Sequence, residues 1–264
     1  MIIILYTTIK KEGKKRMGKN SGGTVSIIYE DPWFLAVHKP EGMLVHRSPL
    51  DRGETRFALQ EARNLAGRRL YPLHRLDRPT SGILLFASAR DAAREGTTLF
   101  RKGAVEKTYL AVVRGWLPDE GLIDHPLPDD LGGLRDRAGE TGREREARTA
   151  FRRLAKAELP FAVSKFPTTR YSLAEIRPLT GRRRQIRRHF KHIFHPLVGD
   201  TTYGEGRHNR FFREQFGCSR LMLAAVKLSF LHPFTGKRCD IFCPPAESFL
   251  SVLRVQGWEE AALR

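Results

Sequence analysis

His74-Arg75-Leu76-Asp77-Arg78-Pro79-Thr80-Ser81-Gly82, continuing into Ile83-Leu84-Leu85-Phe86-Ala87, is a turn that opens directly into an apolar run. Pro79 has no N–H and pushes Arg78 toward an extended conformation, so no helix can pass through Asp77. Thr80 and Ser81 can bond to nearby backbone, and Gly82 tolerates dihedrals closed to other residues. The five apolar residues that follow read as a buried strand. A loop fixed by such a strand holds its side chains still at a cleft edge. Asp77 is then a carboxylate surrounded by Arg75, Arg78 and His74, suited to attack on an electrophilic carbon. The alternative is a surface Asp paired with its arginine neighbours, worth about 0–1 kcal/mol.

Working outward, residues 24–29 and 33–37 read as strands joined by the turn Glu30-Asp31-Pro32, and residues 57–66 as a short helix stopped by Gly67. After the strand at 83–87, Ser88 is placed to cap a helix running to about Lys102, with Ala92, Gly96, Leu99 and Phe100 as its apolar stripe. Lys107-Thr108-Tyr109-Leu110-Ala111-Val112-Val113 is β-rich and reads as a central strand. Residues 117–148 are charged and glycine-rich, which predicts an exposed excursion. Strands are expected near 149–156, 170–178, 221–231 and 237–242, a helix at 185–193, and a final helix from about Pro245. Strands outnumber helices and connections are short, so the fold class is α+β with a mixed, mostly antiparallel sheet. Residues 1–23 carry a lysine-rich block and Ser21-Gly22-Gly23 but little apolar material, and read as a flexible basic extension or as sequence before a true start at Met17. Residues 24–264 form the globular domain.

The chain has 47 Lys+Arg against 29 Asp+Glu, a net charge of +18, which favours a polyanionic partner with nucleic acid as the default. An anionic membrane surface is the weaker choice, because no long basic amphipathic helix is evident, and the apolar start at 1–6 is too short to span a bilayer. Cys218, Cys239 and Cys243 form no CxxC pair and read as reduced thiols of a cytoplasmic protein. There is no P-loop, dinucleotide fingerprint or His/Cys cluster, so neither cofactor nor metal is expected.

The stretch HRLDRPTSGILL resembles the catalytic motif of the RluA-type pseudouridine synthases, and its RPTSG part resembles a tRNA-modifying branch of that family. The resemblance implies a pseudouridine synthase fold with a cleft across the sheet centre, and Asp77 as catalytic residue. It would either form a covalent ribose adduct or take the sugar 2′ proton. Gly181-Arg182-Arg183-Arg184-Gln185-Ile186-Arg187 resembles the family's GRxHQ(I/L)R motif, whose last Arg pairs with the catalytic Asp. A bidentate guanidinium at Arg187 would orient that carboxylate and keep it ionised. The segment from Lys107 to Ala111 resembles K-x-Y-x-A, which sets Tyr109 against the target base as a stacking ring and a candidate acceptor of the carbon-5 proton. Arg75 would fill the space left when the uridine flips out. Arg182, Arg183, Arg184 and Arg188 are assigned to phosphate contacts at a helix start. Arg184 and Ala224 stand where the family usually has His. The implied activity is conversion of a specific uridine in tRNA, position 65 by resemblance, by a monomer. Ribosomal RNA as substrate, or a non-catalytic RNA-binding protein, are the alternatives.

Overall fold

The computed structural model describes residues 23–47, 53–129 and 143–263. The basic extension, apart from Gly23, and the start at Met17 lie outside the described residues. In chain order the elements are β1 (Ser26–Glu30), β2 (Phe34–Lys39), α1 (Ala58–Ala66), β3 (Tyr71–Pro72), β4 (Ser81–Ala87), α2 (Arg90–Arg101), β5 (Glu106–Arg114), β6 (Glu120–Asp124), β7 (Leu127–Pro128), β8 (Glu144–Arg145), β9 (Arg148–Leu159) and β10 (Thr169–Pro178). Then follow α3 (Gln185–His192), α4 (Gly206–Phe216), β11 (Leu223–Leu231), β12 (Arg238–Phe242), α5 (Glu247–Val255) and α6 (Glu259–Leu263).

A ten-stranded sheet organises them in the order β1-β2-β4-β11-β5-β10-β9-β6, with β3 on β4 and β12 on β11. Its pairings are antiparallel except β4 with β11, which run parallel at Ser81–Ala224 and Gly82–Ala225. Every residue of β4 is buried. Side chains alternate across a strand, so Ile83, Leu85 and Ala87 pack with Ala92 of α2, while Leu84 and Phe86 pack with Ala58 and Ala62 of α1 on the other face. In β5, Ala111 and Val113 join Ile186 and Phe190 of α3, and Leu110 and Val112 join Phe211, Phe212 and Phe249 from α4 and α5. The sheet is therefore covered on both faces, and β4 and the Leu110–Val113 part of β5 are apolar in unbroken runs for that reason. Gly82 adopts φ 113°, and a Cβ there would fall on the backbone of Ala225. Only glycine lets β4 come alongside β11 at that point.

Three expectations need correction. Ser88 does not cap α2: the helix begins at Arg90 after Ala89, and no side chain caps it. The Ser88 N–H instead donates to the Trp33 carbonyl at 2.8 Å, which ties β4 to the turn before β2. The stretch 117–148 is not simply an exposed excursion, because β6 pairs with β9 over five positions. Leu117, Ile123, Leu127 and Ala147 are buried there, and this apolar minority anchors a charged segment. Residues 130–142 of that stretch lie outside the described residues. Helix α4 was not anticipated; its Phe211 and Phe212 are buried although the exposed Arg210 and Arg213 flank them.

Candidate active site

The turn at 77–80 closes with the Thr80 N–H donating to the Asp77 carbonyl at 3.0 Å. Two buried cations hold it from below. Lys39 is fully buried, and its Nζ donates to the carbonyls of Pro40 (2.8 Å), Met43 (2.8 Å) and Arg78 (3.2 Å). Burial pushes the Lys39 pKa down to about 7, with Glu41 and Asp77 pulling the other way. Arg220 donates to Ser81 Oγ at 2.6 Å and to Glu41 at 3.1 Å, so the start of β4 is pinned as well. Asp77 emerges from this base half-buried.

Arg187 reaches Asp77 from α3. The Gln185 side chain builds the entry to that helix. Its Oε1 accepts from Thr180 Oγ1 (2.7 Å) and the Arg182 N–H (2.9 Å), and its Nε2 donates to the Arg148 carbonyl and Thr149 Oγ1, each at 2.9 Å. Arg187 then donates through one Nη to Asp77 Oδ2 at 3.2 Å. The bidentate grip expected on Asp77 falls elsewhere: Nε and the second Nη hold the two oxygens of Asp200 at 2.7 and 2.8 Å. A planar fork offers two faces to carboxylates, and the fully buried Asp200 takes the better one. Asp200 also accepts the N–H groups of Thr202 and Tyr203, each at 2.9 Å. Burial alone would raise its carboxyl; the Arg187 and backbone hydrogen bonds outweigh this and hold it below the usual carboxylate range. The Tyr203 ring lies 5.2 Å from the guanidinium carbon. Asp200 is the residue that sequence reasoning missed, and the signal available was Gly199-Asp200 with Tyr203 and Gly204 close behind, between the helix expected at 185–193 and the strand expected near 221–231.

Asp77, Arg187 and Tyr109 line one cleft of about 820 Å³ at the sheet centre, with Arg75, Arg182, Arg183 and Arg184 around it. Among the described residues that line it, Asp77 is the sole carboxylate. Arg101, Lys102 and Lys107 line it too and were not singled out from the sequence, although Lys107 shares the cleft-facing side of β5 with Tyr109. Burial lowers the Lys107 pKa. Arg188 does not line the cleft; its guanidinium turns outward to the Pro128 carbonyl at 3.0 Å. Ala224 packs in the apolar cluster on the opposite face of the sheet from Tyr109, so its departure from the family pattern does not touch the cleft. Burial raises the Tyr109 phenol, and the Asp77 charge adds to the effect. A phenol so shifted stays protonated near neutrality, which suits a stacking ring or hydrogen-bond donor. Among the described residues no three His, Cys, Asp or Glu side chains gather as metal ligands do.

His74 supports the wall of the cleft. Its Nε2 accepts the Leu85 N–H at 3.0 Å, which fixes the neutral ring, and it stacks on Phe100 with centroids 4.8 Å apart. Burial, helped by the charge of Lys107, pushes its pKa down to about 4. Between that value and the ordinary histidine value of about 6.5 the unfolded chain binds a proton that the folded chain does not. The His74 contribution is therefore intact above about 6.5 and is lost as pH falls toward about 4. Urea titrations at several pH values should show a smaller acid-side loss for His74→Gln than for the wild type; equal losses would remove His74 from the account.

A family model described as RNA pseudouridylate synthase matches residues 33–192. A tRNA pseudouridine synthase C from Vibrio cholerae is 48% identical over 240 residues, covering 90% of this chain and 98% of its own. One of the same name from Pasteurella multocida is 46% identical, covering 89% and 98%. Among solved structures, human RNA pseudouridylate synthase domain containing 1 superposes with a TM-score of 0.65 at 27% identity, covering 88% of this chain and 89% of its own. The chain belongs to the RNA pseudouridylate synthase family. It is an RNA pseudouridine synthase, an isomerase that moves the ribose attachment of uracil from nitrogen to carbon 5.

Proposed function

We propose that this enzyme isomerises one uridine of tRNA, position 65 by resemblance, with Asp77 as the catalytic carboxylate. The observation that carries the mechanism is that Asp77 is the sole carboxylate among the described residues of a cleft lined by many arginines and lysines. The substrate class is supported by relatives named tRNA pseudouridine synthase C that match about 90% of the chain. The arginines at the start of α3 would take backbone phosphates, and Arg75 would fill the space the uridine leaves when it flips out of its stack to reach Asp77. Asp77 then acts on the ribose, the glycosidic electron pair leaves with the uracil ring nitrogen, and the base turns against Tyr109. Carbon 5 bonds to the sugar and loses its proton. Tyr109, set against the base, and the freed Asp77 carboxylate are the two groups placed to take it. Arg187 steers Asp77 through its one hydrogen bond.

Carbodiimide labelling and primer extension on unmodified tRNA and ribosomal RNA transcripts, each incubated with the purified protein, test this reading. One labelled tRNA position is the expected result. Label confined to ribosomal RNA would transfer the mechanism to another substrate, and no label in either would sink the proposal.

A further inference from the structure

Helix α3 ends in a Schellman motif, with the Phe194 N–H donating to the Lys191 carbonyl at 3.1 Å and the His195 N–H to the Phe190 carbonyl at 2.9 Å. The motif requires a left-handed residue, for which glycine is the usual choice. Glycine fills the corresponding place after α1 (Gly67, φ 62°) and after α4 (Gly217, φ 63°). After α3 it is Phe194, at φ 63°. A residue with a Cβ is disfavoured in that conformation. Burial does not compensate, since Phe194 is 78% exposed, more than any other large hydrophobic residue described. Its backbone is nevertheless held firmly. The Phe194 carbonyl accepts from Arg114 at 3.0 Å, and the next ring, His195, donates through Nδ1 to the Arg114 carbonyl at 2.8 Å. A strained, firmly held backbone thus presents an exposed aromatic ring to solvent, a combination that points to function rather than folding.

The surroundings indicate what the ring meets. One end of α3 lies in the cleft, where Arg184 is part of the wall. Arg188 and Lys191 follow at helical spacing on the outward side, and exposed His192 stacks on His125 at 3.6 Å. Glu205, which reaches this end of the helix through Arg114, is paired to that arginine. Phe194 lies seven residues beyond Arg187, roughly 10 Å along the helix. A row of cations that leaves an RNA cleft and ends at an exposed aromatic ring matches a strand of nucleotides in both charge and shape.

We propose that Phe194 is a stacking platform for a second base of the RNA whose uridine enters the cleft, with Arg188 and Lys191 facing the intervening phosphates. This rests on the reading of RNA as substrate given above. The test compares wild type with Phe194→Gly and Phe194→Trp on a full-length tRNA transcript. Phe194→Gly should raise KM about tenfold and leave kcat unchanged, and Phe194→Trp should restore KM. The slope of log affinity against log salt should not change, because no cation is removed. The melting temperature of the glycine variant should match or exceed the wild type, since strain is relieved. An unchanged KM, or a lowered melting temperature, would overturn the proposal. So would a change in sedimentation that tracks Phe194, which would assign the ring to a second copy of the chain. If wild type modifies no transcript, the functional reading fails by itself, and binding of labelled tRNA by the same three proteins still decides the contact.

Discussion

Asp77→Asn should lower turnover by at least about 10³-fold while leaving the fold and RNA binding close to wild type. Asn keeps the shape of the side chain and an oxygen that can accept from Arg187, but it neither attacks a sugar carbon nor holds a proton as a carboxylate does. The fold should tolerate the change because Arg187 retains both of its hydrogen bonds to Asp200. Binding should hold or tighten, since the change removes the one negative charge among the described cleft residues. Nucleoside analysis of treated tRNA, a gel-shift titration and a melting curve measure the three quantities. Pseudouridine formed at the wild-type rate would remove Asp77 from the mechanism, and a large drop in melting temperature would make its role structural.

The loop and strand at 74–87 were legible because their chemistry is local. Proline, glycine and an unbroken apolar run constrain neighbouring backbone whatever the rest of the chain does, and β4 is buried along its whole length as that run implies. Helix α1 was legible for the same reason, with Gly67 left-handed at its end. The site itself was only half legible. Arg187 could be found from its motif, but its stronger partner could not, because an Asp in a glycine-bounded loop reads as turn chemistry. Lys39 illustrates the limit more sharply. Lysine is ordinarily exposed, and its burial here depends on carbonyls from three different residues meeting around one ammonium. The edge strand β6 was hidden by composition: its sequence is mostly solvent-facing, and the single buried Ile123 that fixes it gives no periodic signal.

Arg187→Met should be the most destabilising single change at the site, by about 3–5 kcal/mol, and should abolish activity as well. The two losses have different causes. Removing the guanidinium leaves the Asp200 carboxylate fully buried with only the N–H groups of Thr202 and Tyr203 to compensate it, which accounts for the stability loss. Removing the single hydrogen bond to Asp77 frees the proposed catalytic carboxylate, which accounts for the loss of turnover. Adding Asp200→Asn to Arg187→Met should therefore recover much of the stability and none of the activity, a coupling that a double-mutant cycle in urea reads directly. Acid should shrink the deficit of the single variant. The pair is worth most above the ordinary aspartate value, and its contribution disappears as pH falls through the lowered value of Asp200. A double variant as unstable as Arg187→Met alone would show that Asp200 is not what the guanidinium stabilises, and would return the full effect to Asp77.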